Sequence, residues 1–179
     1  MSVGVQVQVY GVKDALKEIN KINPKLRREF TKRYKTIVKP VIDQAKASFP
    51  DSPPLSRMGK PYKHLGAWDG GLVARGVTAR INTRKARSRN LEKGAVYETI
   101  STFLIQQKTG WGSLYDMAGR KNGDSQMARN LMKEGFGAPS RAMWPAYEQN
   151  KQEIDLAVLA LCKDVMNEVN RNLVIDDGN

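Results

Sequence analysis

Val3, Val5, Val7 and Val9 alternate with Gly4, Gln6, Gln8 and Tyr10. That period of two predicts a strand with one apolar face, ended by Gly11. Val12, Ala15, Leu16, Ile19 and Ile22 then recur at helical spacing and predict a short amphipathic helix up to Asn23. Asn23 and Pro24 read as an N-cap and a first-turn proline that restart the chain as a second helix. Its apolar side carries Leu26, Phe30, Tyr34, Ile37, Val38, Val41, Ile42 and Ala45, running to about Ser48. Pro40 lies inside it, so a kink or break is expected near Lys39. The other faces carry Lys25, Arg27, Arg28, Lys32, Arg33, Lys35 and Lys39, with only Glu29 among them.

Residues 49–71 (FPDSPPLSRMGKPYKHLGAWDGG) are rich in Pro and Gly and show no usable period. A structureless stretch of that length in a compact domain is usually functional or ordered by a partner. Leu72–Thr83 reads as a strand, Arg84–Asn90 as a basic turn or loop, and Ala95–Gln106, rich in β-branched and aromatic residues, as one or two more strands. From Lys108 the pattern weakens into a loop with a helical turn around Ser113–Ala118. Gln126–Glu134 predicts a short helix ended by Gly135. Pro139 and Pro145 then bracket Arg141, Met143 and Trp144, and Pro145 suits the first turn of a helix. Trp144, preceding a proline, is expected to be extended. Ile154, Val158, Leu161, Val165 and Val169 sustain the last stripe, so the long C-terminal helix is placed at 145–173. The fold class read from these elements is α+β. A small antiparallel sheet packs against an N-terminal helix pair and a long C-terminal helix, with loops or arms at 49–71 and 108–144. The 179 residues are expected to form a single domain.

Composition changes this picture in one respect. The net charge of +12 is uneven: residues 1–90 carry +14 and residues 91–179 carry −2. Such asymmetry suits a face that meets nucleic acid or an acidic protein, or head-to-tail self-assembly of a basic flank on a more acidic one. No apolar run approaches a membrane span, and the N-terminus lacks the basic and apolar regions of a signal peptide. The single cysteine, Cys162, lies on the apolar side of the last helix and reads as a buried structural thiol in a reducing compartment.

Candidate chemistry is sparse. The one histidine, His64, falls in the Pro/Gly loop, and Cys162 belongs to a helix stripe, so no nucleophile–base pair is apparent. Asp69, Asp116 and Asp124 are scattered, and no His/Cys cluster has metal-ligand spacing. Neither a GxxxxGK[ST] nor a GxGxxG motif occurs, and the glycine turns at Gly66–Gly71 and Gly110–Ser113 are weak evidence for phosphate binding. No catalytic, cofactor or metal residue is therefore expected, and the chain is read as a non-enzyme. The basic helix and Arg84, Lys85, Arg87 and Arg89 could neutralise phosphates without reading sequence, or meet an acidic protein. Trp68, Trp111, Arg141, Met143, Trp144 and Tyr147 are the candidate interface anchors, with core packing in one subunit as the competing role for Trp144 and Tyr147.

Four segments in order carry a family resemblance: Val9–Tyr10–Gly11–Val12 leading into KDALKEINKI; Ala45–Lys46–Ala47–Ser48–Phe49–Pro50 closing the basic helix; Gly70–Gly71–Leu72–Val73–Ala74–Arg75; and Pro139–Ser140–Arg141–Ala142–Met143–Trp144–Pro145–Ala146–Tyr147–Glu148. Over about residues 3–172 the chain resembles the neck proteins of long-tailed double-stranded DNA bacteriophages. These are the head–tail connector or tail-completion proteins, similar to the lambdoid minor tail protein Z group. The resemblance implies a virion structural protein with no catalysis and no cofactor. It implies a homo-oligomeric ring, commonly a hexamer, around the DNA channel that joins the DNA-filled head to the tail. The implied partners are the chain itself, portal- or adaptor-side proteins and tail-side proteins such as the tail terminator or tail tube. Non-specific contact with genomic DNA is left open, and no membrane is implied. The implied location is the virion neck, after assembly in the host cytoplasm. The alternative is a small basic, non-sequence-specific DNA-binding or packaging accessory protein.

Overall fold

The computed structural model describes residues 15–17, 20, 24–82, 89–90, 96–97, 103–120 and 125–176. The valine-rich strand predicted at 3–10 lies outside the described residues. Of the first helix, 15–17 are helical and Leu16 is fully buried. The elements that follow are α1 (Pro24–Ile37), α2 (Lys39–Ala47), a 3-10 turn (Ser56–Gly59), α3 (Gly70–Arg75), β1 (Val77–Ile81), β2 (Arg89–Asn90), β3 (Val96–Tyr97), β4 (Phe103–Gln107), α4 (Gly110–Met117), α5 (Gln126–Lys133) and α6 (Met143–Asp176). β1 pairs with β4, and β2 pairs antiparallel with β3 through Arg89–Tyr97 and Asn90–Val96. The fold is α+β, helix-rich with little sheet. Among the described residues no helix is long and apolar enough to cross a membrane.

The chain divides into two compact units. The first draws on Val38–Ala79 and Ile105–Lys151, the second on Val5–Ile37, Arg80–Leu104 and Gln152–Asn179.

The break between α1 and α2 falls where proline requires it. Pro40 has no N–H and crowds the carbonyl four residues back, so the helix stops at Val38 and restarts with proline in its first turn. In the first unit the strand predicted from Leu72 begins later. Leu72–Arg75 is helical because the Asp69 carboxylate accepts from the Leu72 N–H at 2.8 Å and nucleates α3. The strand starts only at Val77.

Short elements and buried side chains lie within both loop stretches. Within 49–71 lie the 3-10 turn, a bridge between Tyr62 and Leu65, and buried Met58 and Trp68. Within 108–144 lie two capped helices. Thr109 accepts from the Gly112 N–H at the start of α4, and Ser125 accepts from the Ala128 N–H at the start of α5. Gly135, at φ +82°, closes α5, with the Phe136 N–H donating back to the Leu131 carbonyl.

In the second unit the apolar side of α1, through Phe30 and Tyr34, is buried together with Ile154, Val158, Leu161, Cys162 and Val165 of α6. The Tyr34 and Phe103 rings lie 4.8 Å apart.

Candidate functional site

Tyr115, on α4, is the hub of the first unit. Its ring centroid lies 5.6 Å from Phe49, 5.8 Å from Trp68 and 5.6 Å from Phe136, and the Arg141 guanidinium sits 5.9 Å above it. Both predicted arms therefore converge on one aromatic cluster inside their own unit. Burial is the main cause of a raised Tyr115 pKa, with Asp116 acting in the same direction and Arg141 against it.

The next residue, Asp116, is buried, and its Oδ1 accepts from the Ala142 N–H at 2.7 Å and the Met143 N–H at 3.3 Å. These amides open α6 and have no partner within that helix. A carboxylate from α4 thus caps α6 across 26 residues of sequence. Arg141 returns the contact. Its Nη1 donates to the carbonyls of Tyr115 at 2.7 Å and Ala118 at 3.2 Å, at the end of α4 where carbonyls lack helical partners. The positive end of one helix meets an anion and the negative end of the other meets a cation, so both dipoles are served. Asp116 Oδ2 and Arg141 Nε and Nη2 make no hydrogen bond among the described residues. Burial lowers the Arg141 pKa, while Tyr115 and Asp116 act to raise it.

This clamp overturns the expected extended Trp144, which is the second residue of α6. The pre-proline preference is a local steric one. Here the helix N-terminus is fixed by Asp116 from outside, and Pro145 sits in the first turn, where its missing N–H costs nothing.

The candidate anchors divide by burial. Trp68, Met143 and Tyr147 are buried, and Trp68 Nε1 donates to the Pro50 carbonyl at 3.1 Å. Trp111 is half-buried and donates to the Gly66 carbonyl. Arg141 is committed to the α4 terminus. Trp144 is the exposed member, at 41 %, with its ring 5.6 Å from that of Tyr147. The sequence reading missed Tyr115 and the role of Asp116, because no local pattern announces a cap supplied from 26 residues away.

Two surfaces of the second unit stand out. On α6, Leu156 (70 % exposed), Leu159 (43 %) and Met166 (37 %) lie outside the buried stripe. Their spacing, completed by Lys163, alternates three and four residues and places them along one side of the helix. On α1, Lys25, Arg28, Lys32 and Lys35 also follow three-and-four spacing and are all exposed. Of the other predicted cations, Arg27 is half-buried, Arg33 bonds to Asp164 and Lys39 to Asp43. Arg89 lies on β2, while Arg84, Lys85 and Arg87 lie outside the described residues. Leu26, Glu29, Phe30, Arg33, Asp164, Asn167, Glu168 and Arg171 line a depression of about 260 Å³ in the same unit, with both charge signs represented.

His64 is exposed, Asp69 caps α3, and Asp124 lies outside the described residues. Cys162 is buried, and burial pushes its thiol up to about 11. Among the described residues no three His, Cys, Asp or Glu side chains are grouped as a metal site. No family model, curated protein or solved structure matches the chain.

Proposed function

We propose that the chain is a non-catalytic structural subunit of the phage neck, forming a ring that joins the DNA-filled head to the tail. The observation that carries this reading is the exposed apolar side of α6, Leu156, Leu159 and Met166. Three exposed apolar side chains along one side of a helix, with Lys163 between the second and third and all outside the buried stripe, are suited to packing against another protein surface. The exposed Trp144 supplies an aromatic of the kind enriched at interface centres. The resemblance of four sequence segments to neck proteins supports the head–tail junction as the place of assembly. The implied partners are further copies of the chain, in a ring of six by that resemblance, and the proteins stacked on the portal and tail sides.

The alternative, a basic DNA-binding or packaging accessory protein, gives no reason for the apolar row. The two readings separate on assembly without DNA. Leu156→Glu with Leu159→Glu is expected to abolish self-association at concentrations where the unaltered chain assembles, without lowering its melting temperature. Trp144→Ala is expected to impair assembly more than Lys→Ala changes on the exposed side of α1. Light scattering with size-exclusion chromatography reads both. A chain that stays monomeric with or without these changes would count against the neck reading.

A further inference from the structure

The cations that the sequence places on α1 are not equivalent in the structure, and the way they sort indicates a ligand. Arg33 is held by Asp164 and also lies 5.9 Å from the Phe30 ring, and Arg27 is half-buried. Arg28, Lys32 and Lys35 form an exposed row along one side of the helix. Arg28, Lys32 and Lys35 form no ion pair among the described residues. At a helical rise of 1.5 Å per residue, the row from Arg28 to Lys35 runs about 10 Å. A strand of duplex DNA presents about three phosphates over that length of helix axis.

We propose that this row on α1 binds the phosphate backbone of double-stranded DNA without reading sequence. Thr31 and Thr36 turn their hydroxyls back to the carbonyls of Arg27 and Lys32 in the same helix, leaving the long cationic side chains as the main polar reach of this side. An acidic protein is the competing partner, and the composition of the surface disfavours it. α1 contributes none of the large apolar side chains found exposed among the described residues, whereas protein interfaces are anchored by such groups. Interfaces with DNA are more polar and far more positively charged. Base readout is not part of the proposal, because lysine-rich rows position a protein on phosphates rather than identify bases. The proposal stands apart from the neck reading, since it depends on α1 and the apolar row lies on α6.

The test is fluorescence anisotropy of the full-length chain with a labelled 30-base-pair duplex of arbitrary sequence, titrated from about 50 to 300 mM NaCl. Three phosphate contacts predict a log–log slope of affinity against salt of about −3. Arg28→Gln/Lys32→Gln/Lys35→Gln is expected to bring the slope close to −1 or shallower and weaken binding on the order of tenfold at low salt. Arg28→Lys/Lys32→Arg/Lys35→Arg keeps the charges and is expected to keep the slope. Lys60→Gln/Lys63→Gln/Lys133→Gln removes the same charge from exposed positions of the first unit and is expected to leave the slope unchanged. Circular dichroism checks that all variants are folded. The proposal is overturned if the unaltered chain shows no salt-dependent binding, or if both glutamine triples weaken it alike. Tighter binding to poly-glutamate than to the duplex also overturns it, in favour of an acidic protein.

Discussion

Asp116 and Arg141 show how much of this structure depends on two side chains whose partners lie far away in sequence. The Asp116 carboxylate holds the first amides of α6, and Arg141 holds the last carbonyls of α4. Asp116→Ala leaves those amides buried without an acceptor and is expected to cost about 1–3 kcal/mol, read as a lower urea midpoint. Asp116→Asn keeps an acceptor at the Oδ1 position and is expected to cost less. Equal stability of all three proteins would remove the clamp from the account. Alkaline pH probes a second pair of buried groups. Burial raises the Cys162 thiol from 9.0 to about 11, and raises the Tyr34 hydroxyl above its usual 10.0. In both, the folded state favours the protonated form more than the unfolded chain does. Their contribution is therefore fully present below about pH 9 and is lost as the pH climbs toward 11 and beyond. Thermal melts from pH 8 to 11 are expected to show falling stability above pH 9, with a shallower fall in Cys162→Ala. A midpoint that stays level over that range would contradict the burial assigned to these groups.

At the scale of elements, helix periodicity and proline chemistry were legible, and long-range capping was not. The break at Val38 follows from Pro40 alone, and α5 follows from its apolar spacing between Ser125 and Gly135. The strand expected from Leu72 begins as a helix because Asp69 caps it and Gly70 lets the chain pass close to 50–51. A Cβ at Gly70 would lie 2.5 Å from the Asp51 Cα and 2.6 Å from its carbonyl oxygen. Gly70→Ala must move backbone rather than a flexible side-chain tip, and is expected to cost about 1–3 kcal/mol. Near-ultraviolet circular dichroism should change as well, because Trp68 donates to the Pro50 carbonyl beside that contact. An unchanged melting temperature would show that 50–51 does not sit where it is placed. The segment 49–71 lacked a period because its order comes from Tyr115, a tertiary hub that no window of local sequence contains.

At the scale of the whole molecule, the exposed cationic row and the exposed Leu156, Leu159 and Met166 lie on different helices. The +14 balance of residues 1–90 includes the exposed row on α1, which fits phosphate. The exposed Leu156, Leu159 and Met166 on α6 fit protein. Three of the candidate anchors, Trp68, Met143 and Tyr147, are spent inside the first unit, and a sequence cannot distinguish an aromatic that seals its own core from one that meets a neighbour. Trp144 differs from them in leaving 41 % of its surface uncovered in the single chain. The function proposed here rests on the second surface and on the resemblance of four sequence segments to neck proteins. Its most direct test is electron microscopy of the purified, DNA-free chain beside the Leu156→Glu/Leu159→Glu variant. Closed rings are expected for the unaltered chain and isolated particles for the variant. Isolated particles for both, at concentrations well into the micromolar range, would contradict it.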